Sequence, residues 1–226
     1  MRFLFRALIL VAICSGAASA ATVNWTGPAT GNWSVASNWT PSGIPNFSND
    51  VVIPAGVTTT VDLSIPINSL TSAGNVIITG QGTLFTSSVT MTGQLTLSGG
   101  TLASATLNTG TGGSYVCTGT NSTISGVTIA TGTILDLSQI NGTQLTVINS
   151  LTINGTMKVG SADGTRFAIL SAADTQTWSG SGSILFGNTL SNQITLVATN
   201  MTLTTGVTIH GQSGQFNASN TGTTLA

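Results

Sequence analysis

Charge is the scarcest property of this 226-residue chain: four Lys and Arg, five Asp, no Glu, 4% of the residues in all. Cysteine (two), histidine (one) and tyrosine (one) are almost as rare. Each shortage excludes something. Without a cluster of Lys and Arg there is no patch to neutralise phosphates, so nucleic acid is excluded as a partner. Beyond the first twenty residues the one cysteine is Cys117, so no internal disulfide forms and the fold does not rest on bridges. His210 has no cysteine or acidic cluster nearby to share a metal, and its plain reading is a solvent-facing strand residue. No Gly-rich phosphate loop with a following Lys and no GGxGxD calcium turn occurs, so no cofactor is expected. Beyond the N-terminus no apolar run is long enough to cross a membrane, and no C-terminal anchor pattern is visible.

What is present is apolar and regular. Hydrophobic residues make up 40% of the chain and glycine contributes 28 positions. Low charge with that much ordered alternation excludes a disordered polar chain. Thr, Val, Ile and Gly abound and helix formers are few, which is an all-β composition. The N-terminus "MRFLFRALILVAICSGAASA" combines Arg2 and Arg6, an apolar run over 7–13 and small residues at Ala18 and Ala20. That pattern predicts a secretory signal peptide, residues 1–20, cleaved after Ala20. Ile13 precedes Cys14 where a lipoprotein needs a small residue. The expected mature chain carries two cations, Lys158 and Arg166, against Asp50, Asp62, Asp136, Asp163 and Asp174, a net charge of −3. Its expected location is outside the cell or on the cell surface.

One motif recurs. "VTMTGQLTL" at Gly93, "VTIATGTILDL" at Gly132, "LTINGTMKV" at Gly155 and "MTLTTGVTI" at Gly206 share an apolar–Thr–apolar run, a glycine turn and a second alternating run. Weaker copies, "GSYVC" after Gly113 and "GSILF" after Gly182, fill the gaps. The glycines are then 20, 19, 23, 27 and 24 residues apart. A drifting period in the low twenties marks a solenoid. Alternation places Val89, Met91, Leu95 and Leu97 inward and Thr90 and Thr96 outward. One such coil cannot bury its apolar face alone; stacked coils can. The expected fold is therefore an all-β, single-stranded parallel β-helix of roughly seven or eight coils. An antiparallel β-sandwich also accommodates short regular strands, without requiring the repeat.

Stacking predicts vertical columns. Thr90, Thr128, Thr152 and Thr202 are expected to line one outer face. Thr96, Val116, Asp136, Lys158, Leu185 and Thr208 are expected to form another outward column, making Asp136 and Lys158 an inter-coil charge pair. Tyr115, Cys117, Ile184 and Phe186 should point inward.

"WTGPATGNWSVASNWTPSGIPNF" differs from the repeats in holding Trp25, Trp33 and Trp39 with Pro28, Pro41 and Pro45. Residues 21–56 are read as a cap with opening strands and 57–226 as the solenoid. The indoles suit a plug for the first coil, whose apolar layer and strand edge need cover; exposed, they would be carbohydrate contacts. The stretch "GNWSVASNWTPSGIPNFSNDVVIPAG" resembles the opening of secreted bacterial β-helix surface proteins of the autotransporter-like and adhesin-like kind. Pro45, Asp50, Val52, Ile53, Val61, Asp62, Leu63, Gly82, Leu84 and Phe85 also follow the pattern of the G8 domain of extracellular proteins. The resemblance covers about residues 25–85 and implies an extracellular β-rich module; it transfers no catalytic residues. The C-terminal membrane barrel of a full autotransporter has no counterpart here. "GQFNASNTGTTLA" shows no closing cap, so truncation or end-to-end stacking on a neighbouring chain is expected.

Catalysis has little to work with. Glycoside hydrolysis requires two positioned carboxylates, and nothing in the spacing of the five Asp pairs them. Asp163 lies in a turn, "SADGT". Cys117 falls in the core register, where it acts as a small hydrophobe. The sequons at Asn121, Asn141 and Asn154 bear on surface chemistry only in a eukaryotic host. The expected function is a non-enzymatic structural or adhesion module making weak, multivalent contacts with polysaccharide or neighbouring surface proteins. The alternatives are a carbohydrate-active β-helix enzyme, in which Asp and Lys meet in a groove, and an ice-binding solenoid built on "TMT" and "TGT" pairs.

Overall fold

The computed structural model describes residues 19–200, 202–218, 222 and 224–226. The predicted signal peptide lies outside them except for Ser19 and Ala20. Strands wind into a parallel β-solenoid of about eight turns, and the sandwich alternative falls away. Among the described residues, pairing is antiparallel only where Trp39–Thr40 meets Ala21–Trp25 and at the isolated Thr79–Gly99 bridge.

Three sheets form the walls. Sheet 1 runs from Ala21–Trp25 through Asn49–Ile53, Ser69–Ser72, Ser88–Met91 and Thr106–Thr109. Sheet 2 runs from Thr30–Asn32 through Thr58–Val61, Asn75–Thr79, Gln94–Ser98, Ser114–Cys117, Ile134–Asp136 and Thr156–Val159. Sheet 3 begins at Ser64–Pro66, Thr83–Phe85 and Thr101–Ala103. In later coils single strands turn a corner and serve two sheets: Ser122–Ile129 and Thr143–Ile153 join sheets 3 and 1, and Ser183–Leu196 joins sheets 2 and 3.

Alternation fills the interior with stacked columns. Val23, Val51, Leu70, Val89, Leu107, Ile129 and Ile153 lie in register along sheet 1, none more than 6% exposed. Each such side chain contributes about 1.5–3 kcal/mol of burial, and the ladders satisfy the backbone above and below. Val89, Met91, Leu95, Leu97, Tyr115, Cys117, Ile184 and Phe186 all face this core, as the pattern predicts. The Tyr115 hydroxyl donates to the Val89 or Asn108 carbonyl, at 2.8 and 2.6 Å.

The glycine corner falls where the motif suggests at Gly93, Gly113, Gly155 and Gly182 and one residue later in the other two coils. Register places Gly74, Gly93, Gly113, Thr133, Gly155 and Gly182 in one column just before the sheet 2 strands. A Cβ on Gly113 would collide with the Met91 carbonyl oxygen, so the coils approach too closely for a side chain. Gly132 and Gly206 are not in this column; they precede its members Thr133 and Val207. At Thr133 the backbone N–H donates to the Ala130 carbonyl, and the buried hydroxyl accepts from the Thr109 backbone N–H in the preceding coil.

Sheets 1 and 2 begin at Ala21 and Thr30, so the tryptophan-rich stretch supplies the opening strands of the stack as well as its cap. Its return path, a 3-10 turn at Ala36–Asn38 followed by Trp39–Thr40, folds back over the outer edge of Asn24 and Trp25.

Candidate functional site

The three indoles are core. Trp25, Trp33 and Trp39 are 3%, 0% and 1% exposed, with Trp39 edge-on to the other two at 5.0 and 5.1 Å. Their N–H groups donate to the Pro28 carbonyl, the Thr59 hydroxyl and the Trp33 carbonyl. No ring face is left for a sugar, which corrects the carbohydrate-contact reading. Thr59 stands at an inward position otherwise occupied by apolar residues because the Trp33 indole needs an acceptor there.

The expected threonine column is corrected as well. Thr128 and Thr152 are register partners, but Thr90 pairs with Thr71 and Asn108, and it is Ser88 that reaches Thr128 through Thr106. Thr202 pairs with Thr224 and lies off the Thr152–Ser179 register. The four threonines share an outward face across several columns. A hydroxyl file Ser69, Ser88, Thr106, Thr128, Thr152 and Ser179 runs on sheet 1, and the longest is on sheet 3: Ser64, Thr83, Thr101, Thr123, Thr146, Ser171 and Thr195 follow one another coil by coil, with Asn217 next. Alternation alone could not locate it, because these strands are only three residues long in the early coils.

The outward column of sheet 2 runs Thr96, Val116, Asp136, Lys158, Leu185 and then His210. Thr208 instead pairs with Ser183, two residues away, and the corner of that coil is Val207, one residue past the motif's Gly206. Asp136 and Lys158 are neighbours in register, yet among the described residues they form no ion pair. Ser138 holds the Asp136 carboxylate through backbone N–H and hydroxyl, and the Gln139 amide donates to its other oxygen at 2.7 Å.

The other acids are similarly occupied and lie apart. Asp50 accepts from Asn68 and Ser69, and these bonds hold its carboxyl below the usual carboxylate range. Asp62 accepts from Ser34 in the preceding coil. Asp163 accepts from Ser161 and Thr165, which lowers its pKa to about 2. Asp174 accepts from Asn149 and Gln176. Each is a corner fastener. Cys117 is buried and burial pushes its thiol pKa up, the reverse of an activated nucleophile. His210 is exposed on the last described coil.

Two adjoining concavities on the outer face of sheet 2 share Lys158. One, about 310 Å³, is lined by residues including Gln94, Ser114, Val116, Ile134, Asp136 and Gln139. The other, about 340 Å³, is lined by Ser138, Ser161, Leu185, Phe186 and Gln212 among others. The segments 138–142 and 160–167 lengthen the later coils and form the relief beside them. No spacing signal in the sequence marks the groove; only the Asp136–Lys158 adjacency points to it. No protein-family model, no curated protein and no solved structure matches the chain.

Proposed function

We propose that this protein is an exported, non-enzymatic surface, matrix or adhesion module whose outer faces make weak, repeated contacts with glycans or neighbouring chains. The observation that carries the reading is the division of labour among polar groups. All five carboxylates accept hydrogen bonds from neighbouring residues at separate places in the stack, while hydroxyl and amide side chains repeat coil by coil on the outside. The Thr83, Thr101, Thr123 and Thr146 hydroxyls make no protein hydrogen bond among the described residues, so their donors and acceptors are open to a partner. Contacts repeated at the strand spacing of about 4.8 Å gain strength by number even when each is weak. The N-terminal leader pattern and the resemblance to secreted β-helix surface proteins support export.

The enzymatic alternative has one supporting observation, the shared groove at Asp136 and Lys158. Hydrolysis of a glycosidic bond takes two carboxylates, and the groove is lined by one. The ice-binding alternative needs paired hydroxyl files, and the file beside Thr101, Thr123 and Thr146 carries Ala103, Ser125 and Ile148. Cosedimentation with insoluble plant, fungal and bacterial cell-wall material tests the proposal. Retention without release of reducing ends or unsaturated uronate is expected. Sugar release in proportion to protein overturns it in favour of an enzyme, and no retention on any material removes the glycan arm.

A further inference from the structure

We infer that the groove along the outer face of sheet 2 binds a neutral, hydroxyl-rich polysaccharide strand lying parallel to the solenoid axis, with Lys158 at its centre. The inference rests on the glycan-contacting reading and assigns it a site and a ligand class. Shape comes first. The two concavities meet at Lys158 and extend from Gln94 to Gln212 over six coils. Five strand spacings give roughly 24 Å, room for several sugar rings end to end. A ligand along the axis would meet one outward residue from each coil in turn.

Chemistry narrows the class. One ammonium and one carboxylate line the groove, so it offers no net charge to a polyanion. Recognition of a sulfated or phosphorylated chain calls for several cations or a bidentate Arg fork. Gln94 and Ser114, bonded to each other, Gln139, whose amide also holds Asp136, and Gln212 line the groove with amide and hydroxyl groups whose remaining donors and acceptors match hydroxyl groups, and Ile134 and Leu185 supply apolar surface for the C–H faces of the rings.

The two charges are unequally used. Ser138 and Gln139 fix the Asp136 carboxylate, whereas the half-buried Lys158 ammonium has no protein acceptor among the described residues. A held acceptor one coil from a free three-proton donor suits successive hydroxyls of a chain and leaves the ligand to supply what Lys158 lacks.

Native affinity electrophoresis of the full chain in gels containing galactomannan, xyloglucan, mixed-linkage β-glucan or polygalacturonate tests this. Retardation by at least one neutral polymer, persisting in high salt, is expected. Lys158→Ala should weaken it about tenfold or more, the scale of a lost charge-assisted hydrogen bond. Gln94→Ala at the exposed end of the groove should weaken it less, and Thr123→Ala on sheet 3 not at all. Retardation by no neutral polymer overturns the inference, as does salt-sensitive retardation by polygalacturonate alone. Retardation by a neutral polymer that survives both groove substitutions also overturns it while leaving the glycan-contacting module standing. Failure in both this assay and cell-wall cosedimentation removes the glycan reading altogether.

Discussion

The first and last coils share one winding pattern but close differently. In the first, three buried indoles pack edge to face, every indole N–H is paired, and Trp39–Thr40 covers part of the outer edge. In the last, the strand Thr208–Ala218 is largely exposed, and Phe216 and Leu225 are 47% and 43% exposed. A concavity of about 170 Å³ there reaches Ile194 and Leu196 of the coil beneath. Near it, the buried Thr205 hydroxyl lacks a partner among the described residues. The contrast shows what closing a solenoid takes: bulky side chains to fill the terminal layer and a return strand for the free edge.

Removing the filling from the first coil should have the largest effect. Trp33→Ala deletes a fully buried ring and the indole donor to the Thr59 hydroxyl, at about 3–5 kcal/mol in urea unfolding. A loss near that of a surface change would break the contrast. Between the ends, Gly113→Ala forces a Cβ against the Met91 carbonyl and should cost about 1–3 kcal/mol. Tyr115→Phe removes the one hydroxyl proton shared between the Val89 and Asn108 carbonyls and should cost about 1–2 kcal/mol. Phe216→Ala, on the open coil, should stay within about 0.5 kcal/mol. Native-state hydrogen exchange sharpens the comparison, with Thr208–Ala218 amides expected to exchange before those of Asn49–Ile53.

The smallest expected effect is that of pH. Asp163 and Asp50 have lowered pKa values, so their contributions are present above the unfolded value of about 4. That of Asp163 is lost as pH falls toward about 2. Burial raises Tyr115 and Cys117. Their contributions are full below the unfolded values of about 8.5 for Cys and 10 for Tyr and fade as pH rises beyond them. Urea midpoints should be level between, falling at both extremes; a steady slope through neutrality would contradict these assignments.

Particular residues show how far the sequence could be read. Val89, Met91, Leu95 and Leu97 declared their inward facing because a strand alternates with period two. The same rule could not place Thr90 and Thr128, which share a face and not a column. Partner spacing varies from 17 residues (Thr58 to Asn75) to 28 (Ala21 to Asn49), so one average period misaligns distant coils. Corners hid for a related reason. The bend between sheets 3 and 1 has positive φ at Ser104, Gly126, Asn149 and Ser150, only one of them glycine. The asparagine there is held by Asp174 and bonds Ser125, contacts invisible without neighbouring coils.

The amino-acid sequence by itself determined that this chain would be β-rich, would alternate its faces and would stack repeats, because those properties follow from side-chain periodicity within one coil. Only the tertiary structure decided that the indoles are filling, that the longest hydroxyl file runs along sheet 3, and that Lys158 has no acceptor among the described residues beside a fastened Asp136. These depend on register between coils, and register is set by hydrogen-bond ladders and corner lengths summed over the whole stack.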